Sequence, residues 1–405
     1  MSDPGASWRR DFPALAEFEG THVAYWDSAA TAQKPQAVLD AVVRHYQSGV
    51  GNAHRGVHRW AERTTEAYES ARANVARFVG AAAAAEIVFT RNGTEALNLL
   101  ASAVCVANVR ARPRVVVSEI EHHSNLVPWQ ALCRLEGAEL VIAPVDERGE
   151  LDLEQLETLV DERTALVAVC HVSNVLGSVS PIARIAEHAR RVGAWCVVDG
   201  VQAAPHLPVD VQALGCDAYV ISGHKLYGPS GIGAVWARSE HWASAPPWQY
   251  GGDMVSQVQL QHAEFQHPPY RFEAGSPPVE GAIGLSAALD YLRAIGHDAI
   301  QRHEEQLLSL LIARLSELQR VRILGAPNQR VAVVSFNVQG VHPHDVGTVL
   351  DAHHVAVRTG QLCAAPALRR FGEHATVRAS VGLYNTHADV EQLIAALQLA
   401  LELFP

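Results

Sequence analysis

Apolar and polar positions along this chain follow two alternating periods. Short apolar runs at 86–90, 114–118, 139–143, 165–171, 195–198 and 217–221 have the length and β-branched content of buried strands. Between them lie segments with apolar residues at three- and four-residue spacing. These are 35–46 (Val38, Ala41, Val42 and Tyr46 on one face), 60–79, 91 to about 107, a segment ending near 136, 152–160 and 182–192. Strand and helix alternating at this spacing predict an α/β protein with a largely parallel sheet and helices on both faces. After residue 254 the pattern changes. Residues 254–270 are polar and predict a hairpin or lid. Residues 281 to about 318 are helical with a break at Ile295-Gly296. Short strands at 331–337 and 355–358 and helices at 344–351 and 388–403 predict a smaller α+β unit. Trp8, Phe12, Leu15 and Phe18 stand near helical spacing. The division is therefore an N-terminal arm (1–20) packing on the small domain, a large domain (21–280) and a small C-terminal domain (281–405).

Composition narrows the class. With 405 residues, 48% of them hydrophobic, the chain has core enough for one large domain and a smaller one. A net charge of −11 argues against a nucleic-acid surface. No apolar run approaches the length of a membrane span, and the first residues lack an apolar signal region. Six cysteines (Cys105, Cys133, Cys170, Cys196, Cys216 and Cys363) are widely spaced, with no CxxC pair. The expectation is a reduced, cytoplasmic protein without structural disulfides.

The candidate chemistry lies at the ends of the predicted strands, where an open α/β sheet binds its ligand. Gly93-Thr94 opens a helix after a strand, which suits a phosphate or, equally, a simple cap; the lysine of a P-loop is missing. His122-His123 ends another strand. Zinc has no third ligand at helical spacing there, and HEXXH is absent. Asn174, then Asp199 with Gln202, then Ser222, His224 and Lys225 end three more. His54 and Arg55 lie in a glycine-rich loop suited to an anion or to plain solvation. Only two of the 32 Lys+Arg residues are lysines, Lys34 and Lys225. Arginine cannot replace lysine where an amine must lose its proton to react. Taken alone, Lys225 reads equally well as a surface lysine, and Asp199 as a turn aspartate. The glycines at 228, 231 and 233 do not form a dinucleotide fingerprint, because 232–236 reads as a strand rather than a helix. Together, the clusters suit pyridoxal 5'-phosphate. Lys225 would carry the cofactor and Asp199 would keep its ring nitrogen protonated. His122 would stack on the ring, and Gly93, Thr94, Ser222 and His224 would take the phosphate. Cys363 alone among the cysteines has a loop-like setting, between Gly360 and Pro366 and five residues after Arg358. A nearby cation favours its thiolate.

The motifs YWDSAATAQKP, NAHRGVH, FTRNGTEALNL, EIEHHSNLVPWQ, HVSNVLG, VVDGVQA, SGHKLYGPSGIG, RFEAGSP, RTGQLCAAP and VRASVGLYNT span almost the whole chain. They resemble the group II cysteine desulfurases of the SufS/CsdA type, fold type I pyridoxal-phosphate enzymes related to selenocysteine lyases. The resemblance implies a mainly parallel seven-stranded sheet in the large domain. It implies that Lys225 holds the cofactor and shuttles the α-proton, that Gln202 bonds the phenolic oxygen, and that Ser276 binds phosphate from the neighbouring subunit of a homodimer. Arg378 would grip the substrate carboxylate, with Asn174, Arg358, His54 and Arg55 in the substrate group. Cys363 would accept sulfur from L-cysteine, releasing L-alanine, and the persulfide would pass to a SufE/CsdE-like or SufU-like acceptor for iron–sulfur cluster assembly. No metal is implied. Gln361-Leu362 stands where the SufS branch commonly has two histidines, closer to the CsdA branch. The rival readings are another enzyme on the same scaffold, whether a selenocysteine lyase, an aminotransferase or a pyridoxal-phosphate epimerase, and a non-catalytic sulfur-relay scaffold.

Overall fold

The computed structural model describes residues 4–16 and 20–404. The large sheet has seven strands in the order Ile87–Thr90, Gly233–Ala237, Ala218–Ser222, Trp195–Asp199, Thr164–Cys170, Arg114–Ser118, Glu139–Ala143. All run parallel except Gly233–Ala237, which pairs antiparallel with both neighbours. Successive side chains go to opposite faces. Val116, Val167, Val198 and Ile221 pack with Tyr68, Val75, Ile185 and Leu285. Val115, Leu166, Val197 and Val220 pack with Leu97, Trp129 and Leu132 on the other side. Both faces are covered by helices, so the central strands read as continuous apolar runs.

The helix boundaries follow local chemistry. The His58 ring accepts from the Ala61 N–H at 3.3 Å to start Arg59–Val79, and Gly80, at φ +71°, ends it. Asp152 caps Leu153–Leu159. The helix expected from 91 to 107 is instead two α-helices, Gly93–Leu99 and Val106–Ala111, joined by a π turn over Leu100–Val104. The Cys105 N–H reaches back to the Leu100 carbonyl at 2.8 Å, one residue further than α geometry allows.

A second sheet, in the order Val321–Ile323, Val333–Val338, Thr376–Ser380, Arg358–Gly360, is antiparallel throughout. Leu307, Leu311, Val346, Leu393 and Leu397 from its helices join Val334, Phe336 and Val377 in its core. Its first strand is a three-residue edge too short to leave a periodic signal. The polar stretch is a hairpin, Val255–Val258 with Ala263–Phe265.

The arm is not one helix. Pro4–Trp8 is helical, and single 3₁₀ turns follow at Arg9–Asp11 and Pro13–Leu15. Phe12 precedes a proline, which disfavours helical backbone, and it is extended at φ −108°, ψ 92°. Phe18 lies outside the described residues. Trp8 meets His303 edge-on at 5.2 Å, and Phe12 lies between Tyr384 (4.9 Å) and Tyr227 (5.8 Å), so the arm touches rings from both halves of the chain. No helix among the described residues is long and apolar enough to cross a membrane.

Candidate active site

The carboxyl ends of the strands ending at Cys170, Asp199 and Ser222 open onto one cavity of about 330 Å³. It collects Gly93, Thr94, His122, Asn174, Asp199, Gln202, Ser222, His224, Lys225, Arg358, Cys363 and Arg378. Three expected site residues lie elsewhere. Ser276 lines a separate cavity with Arg91 and Glu273, and His54 and Arg55 line a third with Asp253 and Tyr270.

Lys225 leaves the strand Ala218–Ser222 on a short 3₁₀ turn, with Nζ 3.4 Å from Gln202 Oε1. Desolvation, helped by the Arg378 charge, pushes its amine down to about 8; Asp199, Asp27 and Cys363 oppose this. Asp199 ends the next strand, and its Oδ1 accepts from the Val201 N–H at 3.0 Å. Burial raises its carboxyl, while the Val201 N–H and Lys225 pull it back. Gly200 follows because any Cβ there would sit 2.0 Å from the Tyr219 ring.

On the wall formed by the first strand, Asn92 caps the helix by accepting from the Glu95 N–H at 2.8 Å. The amides of Gly93 and Thr94 stand in the first turn, where no intrahelical partner exists. Thr94 Oγ1 meets Ser124 Oγ at 2.6 Å. His122 is held neutral, its imidazole pushed down to about 3 by burial and then by the Lys225 charge; Nδ1 accepts from the Ser124 N–H at 3.1 Å. Behind it Glu121, fully buried and pushed up to about 7 by burial, accepts from Ser118 Oγ, Asn125 Nδ2 (2.6 Å) and the Cys170 N–H (2.9 Å). That network ties the His122 turn to two strands.

The second sheet supplies the opposite wall. Arg378, opposite Arg358 in register, donates to the Asn174 carbonyl (2.9 Å) and to Asp27 Oδ1 (3.1 Å). The cysteine loop docks by backbone contacts. The His123 N–H donates to the Cys363 carbonyl (2.7 Å), and Asn174 Nδ2 donates to the Leu362 carbonyl (2.8 Å). Leu362 is buried with Ile120, Val175 and Leu368. Leu362 and Cys363 both adopt left-handed backbone, at φ +53° and +52°. Of the six free cysteines only Cys363 is exposed.

Ser222 Oγ and Arg378 Nε are buried and lack a partner among the described residues. A buried polar atom left unsatisfied costs about 1–3 kcal/mol, so two such donors at one cavity mark places for a ligand's acceptors. The set as a whole offers a partly neutral amine, a buried carboxylate, a neutral imidazole face, anion donors and a separate thiol. Sequence reasoning singled out neither Asp27, Ser124 nor Glu121. Asp27, Glu121 and Ser124 stand inside motifs quoted above, but their partners are remote in sequence.

Residues 24–393 match the aminotransferase class-V family. The chain is 48% identical to a cysteine desulfurase of Dickeya dadantii (strain 3937), over 96% of this chain and 95% of that one. It is 45% identical to a cysteine desulfurase of Salmonella agona (strain SL483), over 98% of each. Among solved structures, the cysteine desulfurase CsdA (S-sulfonic acid) from Escherichia coli matches with a TM-score of 0.91 at 38% identity, over 100% of this chain and 99% of that one. The apo cysteine desulfurase from Thermococcus onnurineus NA1 matches with a TM-score of 0.93 at 39% identity, over 99% of each. The same seven-stranded architecture, in a family whose members depend on pyridoxal phosphate, places this chain in the aminotransferase class-V family, among its cysteine desulfurases.

Proposed function

We propose that the protein binds pyridoxal 5'-phosphate in the Lys225 cavity and removes sulfur from L-cysteine. The observation that carries this reading is that Cys363, the exposed thiol, lines the same cavity as Lys225. The donor set fits the cofactor. Lys225 would hold it, and Asp199 would face its ring nitrogen, with Gln202 at its phenolic oxygen and His122 on its ring face. Gly93, Thr94, the unpartnered Ser222 Oγ and His224 would take its phosphate. When bound, the group supplies an electron sink for negative charge at the substrate's α-carbon.

The chain's own residues do the rest. Arg378 binds the substrate carboxylate through its free Nε, with Asp27 and the Asn174 carbonyl holding the guanidinium in place. Asn174 and Arg358 border that end. The Lys225 amine, lowered by desolvation, takes the α-proton. The Cys363 thiolate attacks the substrate sulfur. An S–S bond forms, the C–S bond breaks, the electron pair left on the β-carbon takes a proton, and Lys225 returns a proton to the α-carbon to give L-alanine. The exposed persulfide on Cys363 then passes to an acceptor of the SufE, CsdE or SufU type, in a reducing, cytoplasmic setting suited to unpaired thiols, for iron–sulfur cluster assembly. Ser276 serves the neighbouring subunit of a homodimer, which accords with its place outside this cavity. His54 and Arg55 also lie outside this cavity.

The test is the purified protein with and without L-cysteine. The expected result is a visible cofactor absorbance, with alanine and sulfide released together, and a Cys363→Ser variant that keeps the absorbance and loses sulfide release by at least ~100-fold. A colourless wild type, or full activity in the variant, would overturn the reading. Activity of the variant on L-selenocysteine alone would make the protein a selenocysteine lyase.

A further inference from the structure

A buried polar chain leaves the active site in a direction the reaction above does not use. Gln202 and His206 lie four residues apart in the turn that follows the strand Trp195–Asp199, and Glu304 comes from the helix His297–Ser316. Gln202, His206 and Glu304 are 4%, 3% and 4% exposed. His206 Nδ1 stands 2.8 and 2.9 Å from the two Glu304 oxygens, and His206 Nε2 stands 3.1 Å from Gln202 Nε2. Gln202 Oε1 stands 3.4 Å from Lys225 Nζ.

With a neutral imidazole at His206 and an ionised Glu304, the donor arithmetic has one consistent solution. A carboxylate only accepts, so His206 Nδ1 carries the proton that Glu304 receives. His206 Nε2 is then a bare acceptor, and it is met by the NH₂ end of the Gln202 amide. The oxygen end is left facing the lysine. Without the pair, the two ends of this buried amide would be interchangeable, and an NH₂ group could turn toward Lys225. We propose that Glu304 and His206 are positioning residues that hold the Gln202 amide with its oxygen toward Lys225. An acceptor there favours the ammonium form, so the pair tunes the amine from two shells away. The inference deepens the reading of Lys225 as the reactive amine.

Because the chain has only two lysines, the amine can be followed individually. Competitive acetylation of the cofactor-free full chain across pH, read by mass spectrometry, gives a midpoint for Lys225, with Lys34 as an internal control. In Glu304→Leu, which leaves His206 Nδ1 without an acceptor, the Lys225 midpoint should fall by about 0.5 pH unit or more, as expected when a hydrogen bond to the charged form is lost. The Lys34 midpoint should not move. In a Gln202→Leu background the same substitution should add nothing, because the effect runs through the amide. An unchanged or raised midpoint, or an equal fall in both backgrounds, overturns the proposal. His206→Phe, which removes the acceptor at Nε2, replaces Glu304→Leu should the latter not fold, and failure of both to fold would reduce the pair to packing and also overturn it. These outcomes are independent of cofactor absorbance in the wild type, which tests the underlying reading separately.

Discussion

Lys225 sits where several influences on an amine meet. Desolvation and the Arg378 charge disfavour its ammonium form, Asp199 and Asp27 favour it, and the amine ends at about 8 instead of 10.5. The consequence is a pH dependence with a definite sign. Only the free amine captures the cofactor, and its fraction rises with pH up to the group's pKa. Mixing cofactor-free protein with pyridoxal phosphate should therefore give capture rates that rise about tenfold per unit below pH 8 and level off above it. Stopped-flow absorbance checks this, and a rate still climbing at pH 10 would mean the lysine is unperturbed. Arg378 is the complementary case. Burial lowers it and Asp27 restores its charge, so it stays a cation whose Nε–H has no partner among the described residues. Lys225 stands out in the sequence because arginine displaces lysine almost everywhere else. The unpartnered Nε–H of Arg378 is invisible there, because it depends on which carbonyls happen to lie nearby.

At the scale of the element, the cysteine loop is held by hydrogen bonds to its carbonyls from the His123 N–H and the Asn174 amide, by one from the Ala365 N–H to His123 Nε2, and by the buried side chains of Leu362 and Ala364. Two consecutive non-glycine residues in left-handed backbone are unfavourable, and they persist only where surrounding contacts over-determine them. Leu362 is the larger of the two buried side chains, packed with Ile120, Val175 and Leu368. Leu362→Ala should remove about 2 kcal/mol of local anchoring. Hydrogen exchange at 361–364 should speed up by at least ~10-fold, and cysteine turnover should fall while cofactor absorbance stays unchanged. Unaltered exchange would show that the backbone contacts to His123 and Asn174 suffice. The elements themselves were largely legible. The parallel strands appear as apolar runs and their helices as 3.6-residue periods, because burial on both faces leaves that pattern. The π turn at Leu100–Val104 and the broken arm were not, since both follow from single backbone events that period reading averages away.

At the scale of the whole molecule, the cavity exists because the second sheet closes over the edge of the first. Ser335 Oγ reaches the Val175 carbonyl at 2.6 Å, and Arg378 reaches Asn174, so the Arg378 wall and the Lys225 floor of the cavity come from opposite halves of the chain. Ser276 does not join that cavity. If it completes the partner subunit's site, two defective chains should repair one another. Lys225→Ala and Ser276→Asp homodimers are each expected to be inactive or strongly impaired. A co-refolded mixture should regain activity, because one site of each mixed dimer keeps both residues. A mixture no better than its parents would place Ser276 in its own subunit's chemistry or outside the chemistry altogether.

The sequence by itself determined the fold class, the sheet edge at which the candidate chemistry gathers and the candidate amine and thiol. These are local properties: a period, a strand end, a rare residue type, a motif. Tertiary structure alone decided that Cys363 and Lys225 share one cavity, that Ser276, His54 and Arg55 lie outside it, and that Glu121, Asp27 and the Glu304–His206 pair support it. Those facts rest on contacts between residues tens to hundreds of positions apart. Burial and hydrogen-bond geometry set such contacts, and neither leaves a trace in local spacing.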